Sequence, residues 1–574
     1  MTIRKLYYGD NCEVIPKHVK PDSIDLVYLD PPFNSAADYN LLFKENGLSP
    51  DEAQLHAFKD TWIWDIPAAE VYHEIQNIDN ARLIDLINAL MAAFGKTPMM
   101  AYLVHMAFRL DLIHRSLKPT GSLYLHCDPK ASHYLKMVLD SIFGPTMFRS
   151  EIIWRRTGAH NKSKRWSPLH DVILFYTKSD VFTWNKPRQS YMNGHVKEHF
   201  KPDGKGGWRT DYYGNVLTGS GTRGGLSGKP WKGIDPTAKG RHWAIPGEIW
   251  AEVGIDPEGL DQHQKLDLLY DEGFITIDPD AAWPMYEMAV RPGQGPAIGD
   301  IWAYQPYTEG TVFGSKTGID DDVRWLGTRD QERLGYPTQK PVGLLKRIIS
   351  ASSNKGDVVM DPFCGCGTTI EASEILERQW IGIDISPFAI QLIRRRRIEG
   401  AFPHLKFGKD YQVDGLPTSM TGAKDLAAQD KKAFEVWAVS AIDGIPNPKK
   451  GADGGIDGKL KFKPDGKVAK HAIVSVKGGA LKADDIRALI AVVDREKTTS
   501  MGFGVMVTLN PPTAKMRADA TAAGFHEIAG AKYQKVQFVT VQDILEGKKP
   551  RLPFPELPDV FKKADVATHA GLDV

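Results

Sequence analysis

Cysteine is scarce in this chain: four among 574 residues, at Cys12, Cys127, Cys364 and Cys366. So few and so scattered, they exclude a disulfide framework. Cys364 and Cys366 share a Gly-rich turn with no second pair of ligands nearby, which argues against a zinc site. Charge of one sign is also missing. With 72 basic and 71 acidic residues the net charge is +1, so any contact with nucleic acid must come from local basic patches. Apolar runs are broken by charges before they reach membrane-spanning length, and no membrane partner is expected. No internal repeat or long low-complexity segment stands out. The opening MTIRKLYYGDN runs directly into a strand-like pattern without a signal-peptide layout, so a cytoplasmic location is expected.

What is present begins with the string DPPF at Asp30–Phe33. It follows the apolar run Ile24-Asp25-Leu26-Val27-Tyr28-Leu29, which reads as a buried strand. An acid, two prolines and an aromatic ring therefore sit at a strand's carboxyl end, where open α/β sheets bind ligands. A carboxylate, a fixed carbonyl and a flat ring suit an amino group on a planar base. Taken alone, the string equally fits a tight turn.

Six regions separate along the chain. Residues 1–182 alternate strands (Leu26–Leu29, Ser122–His126, Val172–Tyr176) with helices (Met100–Leu117, His133–Phe143), which predicts a parallel sheet with crossovers. Residues 183–330 are rich in Gly, Pro and Trp with weak periodicity and read as an insert whose tryptophans belong to its core. α/β patterning returns at 331–410; 411–428 is polar and reads as a linker; 429–550 is a second α/β unit; 551–574 is a tail.

In 331–410 the turn Asp361-Pro-Phe-Cys-Gly365-Cys-Gly367-Thr-Thr lies between a strand and a helix. Its glycines permit positive φ and close approach of a ligand. A second acid, Asp384, ends the following strand, at a spacing suited to ribose hydroxyls. The pattern lacks the third glycine of a pyrophosphate cradle. A nucleoside cofactor without phosphates, such as S-adenosyl-L-methionine, fits better; a glycine turn serving only strand–helix packing fits too.

The strings DPPF, YPTQKP (Tyr336–Pro341) and DPFCGCGTT (Asp361–Thr369), with YYGDNCEVI (Tyr7–Ile15) and LKPTGSLYLHCD (Leu117–Asp128), resemble the exocyclic-amino DNA methyltransferases, in the order of the β group. Cys366 departs from the serine more usual there; because the turn acts through its backbone, little consequence is expected. The resemblance implies an α/β fold: a Rossmann-like core with an inserted target recognition region and S-adenosyl-L-methionine as cofactor. It places Phe363, Gly365 and Gly367 beside the methionine part of that cofactor, with Asp361 in the same turn. Asp384 falls on the ribose, Thr338 and Lys340 at the methionine end, and Asp10 near the adenine. A strand-end turn capped by Asp10 explains that residue equally well.

The resemblance also implies a chemistry for Asp30, Pro31, Pro32 and Phe33. An adenine amino nitrogen shares its lone pair with the ring. Hydrogen bonds to the Asp30 carboxylate and the Pro31 carbonyl draw it toward tetrahedral geometry, and the proline rings fix the carbonyl's direction. Phe33 stacks on the base, which leaves the duplex to enter. Cytosine C5 chemistry needs a Pro-Cys nucleophile, and none of the four cysteines follows a proline. Aspartate in the first position favours adenine N6 over cytosine N4 in this family. A degenerate DNA-binding regulator and an RNA methyltransferase are the rival readings.

For DNA, Trp154–Trp166 carries Arg155, Arg156, Lys162, Lys164 and Arg165 between two indoles, a set suited to double-stranded DNA phosphates and unpaired bases. A solvated loop with anchored tryptophans is the alternative. Arg394–Arg397 reads as a solvated helix face. In 429–550, Glu435, Asp457, Ser475 and Lys477 resemble the metal-dependent site of the Mrr-like restriction-endonuclease fold. Asp457 stands as the central acid, Lys477 as the lysine, and Glu435 as a replacement for the carboxylate usual at Ser475; Mg²⁺ is the implied ion. An inactive DNA-binding module and an unrelated packing domain are the alternatives. A separate restriction subunit or a second copy of the chain is the expected protein partner.

Overall fold

The computed structural model describes residues 2–32, 38–42, 54–59, 62–158, 164, 166–202, 207–213, 217–247, 249–250, 256–278, 282–290, 293, 295–327, 330–334, 336, 338–447, 455–465, 468–496 and 500–555. Phe33, Lys162 and Arg165 lie outside them. The chain divides into two compact units: 1–185, 300–304 and 322–574 form one, and 186–299 with 305–321 form the other.

The larger unit holds a nine-stranded sheet. Its strands in chain order are β1 (Arg4–Tyr8), β2 (Ile24–Leu29), β3 (Leu117–Cys127), β4 (Phe148–Arg155), β5 (His170–Thr177), β6 (Ile301–Trp302), β7 (Val358–Asp361), β8 (Gln379–Asp384) and β9 (Gln412–Asp414). Across the sheet they run β6-β4-β5-β3-β2-β7-β8-β1-β9. The central strands are apolar on both faces, as a sheet covered by helices on both sides requires: all of β7 and all but Asp25 of β2 are buried. The parallel sheet expected from the alternation needs one correction. β5 runs antiparallel to both β3 and β4.

The two α/β segments separated by the insert meet at the centre of this sheet, where Leu26 and Val27 of β2 pair with Val359 and Met360 of β7. Helix ends follow their capping residues: Asp10 accepts from Cys12 N at the start of α1 (Asn11–His18), and Thr97 caps α2 (Pro98–Ser116), which has proline in its first turn.

The linker expected at 411–428 is absent as such. Gln412–Asp414 is the edge strand β9, and Met420–Gln429 is a helix with Ala423 and Leu426 buried. The C-terminal strands β10 (Ile445–Pro446), β11 (Gly458–Phe462), β12 (Lys470–Lys477), β13 (Gly504–Thr508) and β14 (Val536–Thr540) form a second sheet in that order. β10 to β12 are antiparallel, and β12, β13 and β14 are parallel. One apolar cluster runs from Leu6, Trp380 and Ile393 through Tyr411, Phe434 and Trp437 to Phe462 and Phe503, so the two sheets share a core.

The basic run Arg394–Arg397 also differs from the expected solvated face. Arg397 is buried and ion-paired with Glu371, and Arg395 pairs with Asp443 of the C-terminal part. A helix widened into a π turn at Ile393–Ile398 turns these side chains inward.

The smaller unit has a four-stranded antiparallel sheet, ordered Ile275–Thr276, Met285–Ala289, Trp208–Tyr213 and Lys201–Pro202. Trp231, Trp243 and Trp250 belong to its core with Leu266 and Tyr286, as expected for the insert.

Because Trp437 is only 2% exposed and sits in the shared core, Trp437→Ala should cost about 3–5 kcal/mol. Urea unfolding should show one transition moved to lower denaturant for both sheets.

Candidate functional site

Four adjacent parallel strands, β2, β7, β8 and β1, end on the same edge of the sheet. Their last residues and the turns after them deliver Asp30, Asp361, Asp384, Gly9 and Asp10 to one cavity of about 320 Å³. That lies at the lower end of ligand pockets, roughly 300–1,000 Å³. Pro32, Thr338, Lys340, Phe363 and Gly365 also line it. The structure thus gathers most of the residues marked by DPPF, YPTQKP and DPFCGCGTT, from segments far apart in sequence. Pro31 is buried behind them.

The acids are held in distinct ways. Asp30 is ion-paired with Lys340, whose ammonium also donates to the Thr338 carbonyl at 3.3 Å. Asp361 accepts from Thr369 Oγ1 at 2.5 Å and from Phe363 N at 3.0 Å. Burial nevertheless raises its carboxyl to about 7, with Asp30 and Asp384 adding repulsion. Asp384 accepts from Gly365 N and Ser386 N, both at 2.8 Å, and burial raises it to about 6. Gly365 and Gly367 adopt φ of +48° and +79°. A Cβ at Gly367 would lie 2.6 Å from Ile393 Cγ1, so this glycine is required by close packing as well as by conformation. The carbonyl of Cys366 accepts from Arg397 Nε at 3.3 Å, but its thiol also lies 3.6 Å from Thr368 Oγ1 and 3.9 Å from Arg397 Nη2, so the side chain takes part beside the backbone expected to act alone.

Asp10 both caps α1 and ion-pairs with Arg109 of α2 at 2.9 Å. Arg109, Asn11, Tyr28, Trp62, Tyr336 and Ile385 line the cavity without having been singled out from sequence. Asn11 Oδ1 and Arg109 Nε are buried there and make no hydrogen bond among the described residues. An arginine on an otherwise apolar helical face was the available signal for Arg109.

The basic segment after β4 is less uniform than expected. Trp154 is buried and donates to the Val323 carbonyl at 2.7 Å, so it cannot stack on a base. Trp166 is 98% exposed. Arg155 donates to the Thr157 and Tyr304 carbonyls and stacks over Trp325, whereas Arg156 pairs with Asp171 and Lys164 is exposed.

In the C-terminal sheet, Asp457 immediately precedes β11 and Lys477 ends β12. Asp457 accepts from Val476 N at 2.7 Å and Ser475 Oγ at 3.3 Å, and Lys477 lies 3.4 Å from Asp485. Glu435, on the helix Lys431–Ala441, is raised above the usual carboxylate range by burial and by the charge of Asp457. Lys432 lies 3.4 Å from it. Among the described residues, no group of three or more His, Cys, Asp or Glu side chains is arranged for a metal ion. No helix among them is long and apolar enough to cross a membrane.

A DNA methylase family model of the N6/N4 type matches residues 24–395. The type II methyltransferase M.EcaI of Enterobacter cloacae is 31% identical over 305 residues, covering 53% of this chain and 59% of that protein. The Mod subunit of the type III restriction-modification enzyme StyLTI from Salmonella typhimurium is 26% identical over 382 residues, covering 65% of this chain and 50% of the subunit. The DNA adenine methyltransferase YhdJ of Escherichia coli is 45% identical over 92 residues, 16% of this chain and 30% of that protein. The chain therefore spans half to three fifths of the length of the first two relatives.

A carboxyl raised on folding remains protonated in the native state while the unfolded chain has already ionised. Stability should therefore fall as pH rises from about 4, the unfolded value, to about 7, the folded value of Asp361. The loss should be on the order of 4 kcal/mol for Asp361. Asp361→Asn should remove much of that slope, because the Thr369 hydroxyl can reverse its bond to accept from the amide. Urea midpoints at pH 5 and pH 7.5 for both proteins check this.

Proposed function

Because the chain belongs to the N6/N4 DNA methylase family, we propose that it transfers a methyl group from S-adenosyl-L-methionine to adenine N6 in double-stranded DNA. The observation that carries the reading is the convergence of Asp30, after β2, and the Asp361–Gly367 turn, after β7, on one cavity. A group that grips an amino nitrogen and a turn suited to a nucleoside cofactor thereby become neighbours. YhdJ, by name an adenine methyltransferase, and the aspartate at position 30 favour adenine over cytosine N4.

The cofactor supplies an electrophilic sulfonium methyl. The residues present fit it: Asp384 would take the ribose hydroxyls, and Phe363 and Gly365 would border the methionine side. The unsatisfied Asn11 Oδ1 and Arg109 Nε offer an acceptor and a donor near Asp10. Thr338 and Lys340 close the cavity from the YPTQKP segment, with Lys340 directed to Asp30. The target base leaves the duplex to present its amino group to Asp30 and the Pro31 carbonyl. Arg156, Lys164 and Trp166 are the described groups of the basic segment available to DNA, and the smaller unit is the proposed target recognition region.

The reading extends to the C-terminal sheet as a restriction-endonuclease-like module. The antiparallel β10–β12, followed by a helix (Ala483–Arg495) and the parallel β13, and the position of Asp457 before β11 with Lys477 at the end of β12, support this reading. Glu435 and Asp457 are the proposed Mg²⁺ carboxylates, sufficient where water and phosphate complete the shell. The likeness to a Mod subunit supports a restriction-modification setting, with a separate restriction subunit or a second copy of the chain as the proposed partner.

Asp30→Ala should lower methyl transfer by about 10²-fold or more while changing cofactor affinity less than a few-fold. Radiolabelled methyl incorporation and calorimetry measure the two; transfer at the wild-type rate would sink the assignment. For the module, Mg²⁺-dependent cleavage should disappear in both Asp457→Ala and Lys477→Ala. Absence of cleavage of both methylated and unmethylated DNA by the wild type would overturn an active nuclease.

A further inference from the structure

Beneath the cavity lies a buried polar chain that gripping an amino group does not require. Tyr28, on β2 two residues before Asp30, lines the cavity. Its hydroxyl is 2.9 Å from His126 Nδ1, on β3. His126 Nε2 is 3.2 Å from Asp171 Oδ2, on β5, and Arg156 Nε lies 3.1 Å from Asp171 Oδ1. The His126 and Asp171 side chains are 0% and 2% exposed. The ring of Trp154 meets His126 edge-on at 5.5 Å and closes it off.

The donor direction at the Asp171 end of this chain can be assigned. Burial opposes the charge on Asp171, but the hydrogen bond from His126 and the neighbouring charges, Lys340 and Arg156 among them, outweigh it and hold the carboxyl below its usual range. An ionised carboxylate only accepts, so His126 Nε2 carries the proton. With a neutral ring, Nδ1 is the acceptor and the Tyr28 hydroxyl donates to it. That leaves the lone pairs of the Tyr28 oxygen unused by the relay. A hydroxyl backed by an imidazole and a carboxylate is the arrangement that turns an alcohol into a proton acceptor.

Methyl transfer to an amino group creates such a demand. The nitrogen lone pair forms the new N–C bond as the C–S bond breaks with its electrons going to sulfur, and the nitrogen becomes cationic with one proton too many. Asp30 is poorly placed to take that proton, because neutralising it would remove the charge that offsets the largely buried Lys340 ammonium.

We propose that Tyr28, His126 and Asp171 form the relay that takes the proton from the methylated amino nitrogen. This rests on the methyltransferase reading above. An N–H proton passes to the Tyr28 oxygen as the hydroxyl proton passes to His126 Nδ1. The products are a neutral methylamino group, a neutral tyrosine and an imidazolium facing the Asp171 carboxylate. The imidazolium loses its proton to solvent after the product leaves. Tyr28 is the catalytic residue of the three; His126 receives the proton through it, and Asp171 positions the imidazole. Beyond Asp171, Arg156 joins this relay to the segment proposed to meet DNA.

The test has three readouts on the full-length protein. Nitrogen-15 histidine NMR of the free wild type should show His126 protonated at Nε2 and bare at Nδ1; the opposite tautomer would overturn the relay. Tyr28→Phe keeps the ring and should fold. It should lower single-turnover methyl transfer by about 10²-fold with cofactor and DNA affinities unchanged; a wild-type rate would overturn the proposal. Imidazole added to His126→Gly should restore part of the lost rate if that variant folds, and the Tyr28→Phe result decides the matter if it does not. The two readings separate cleanly. An inactive wild type would remove the methyltransferase assignment, whereas an active wild type with an equally active Tyr28→Phe would remove only the relay.

Discussion

The pairing of β2 with β7 is the constraint on which the rest depends. Leu26 and Val27 sit beside Val359 and Met360, at the centre of a sheet assembled from both ends of a long insertion. Loop-closure cost grows only logarithmically, about 0.6 kcal/mol per doubling of length, so a large insert between the two strands is tolerable. The buried apolar side chains of both strands and the helices over them stabilise the junction. Once those strands are parallel neighbours, Asp30 and the Asp361 turn must share one edge. The site follows from the register.

That edge concentrates carboxylates in a place that resists charge. Asp361 and Asp384 are raised by burial, and Asp30 faces Lys340. Hydrogen bonds from Gly365, Phe363, Ser386 and Thr369 offset part of the cost, but not all of it. Such strain is what a binding site retains when its ligand supplies the missing partners. A cofactor bearing a sulfonium, an ammonium and ribose hydroxyls matches that need. The C-terminal sheet is tied to this core by shared packing around Trp437 and by Arg395 and Lys549 on Asp443, so the two proposed chemistries belong to one cohesive unit.

Much of this was legible in the sequence because its signals were local. The strands ending at Leu29 and Asp384 were visible as apolar runs. The turn at Asp361–Gly367 was visible through its glycines, and the tryptophans of the insert through their setting. Residues whose role depends on a partner across the sheet were not legible. Arg394–Arg397 looks like a solvated face until Glu371 and Asp443 are placed beside it. Trp154 looks like a stacking indole until His126 and Val323 enclose it. The polar run at 411–428 looks like a linker because β9 needs only three residues and the helix after it buries only a narrow face.

Sequence alone therefore determined the identity and order of the chemical parts: an acid after a strand, a glycine turn followed by a second acid, a family likeness, and a C-terminal unit with its own acid and lysine. These are properties of short segments, set by residue type and spacing. Tertiary structure decided which parts meet. It directed Lys340 to Asp30, joined Asp10 to Arg109, and lined up Tyr28, His126 and Asp171 across three strands. Each of these contacts joins residues distant in the chain, and their alignment is a matter of strand order and register.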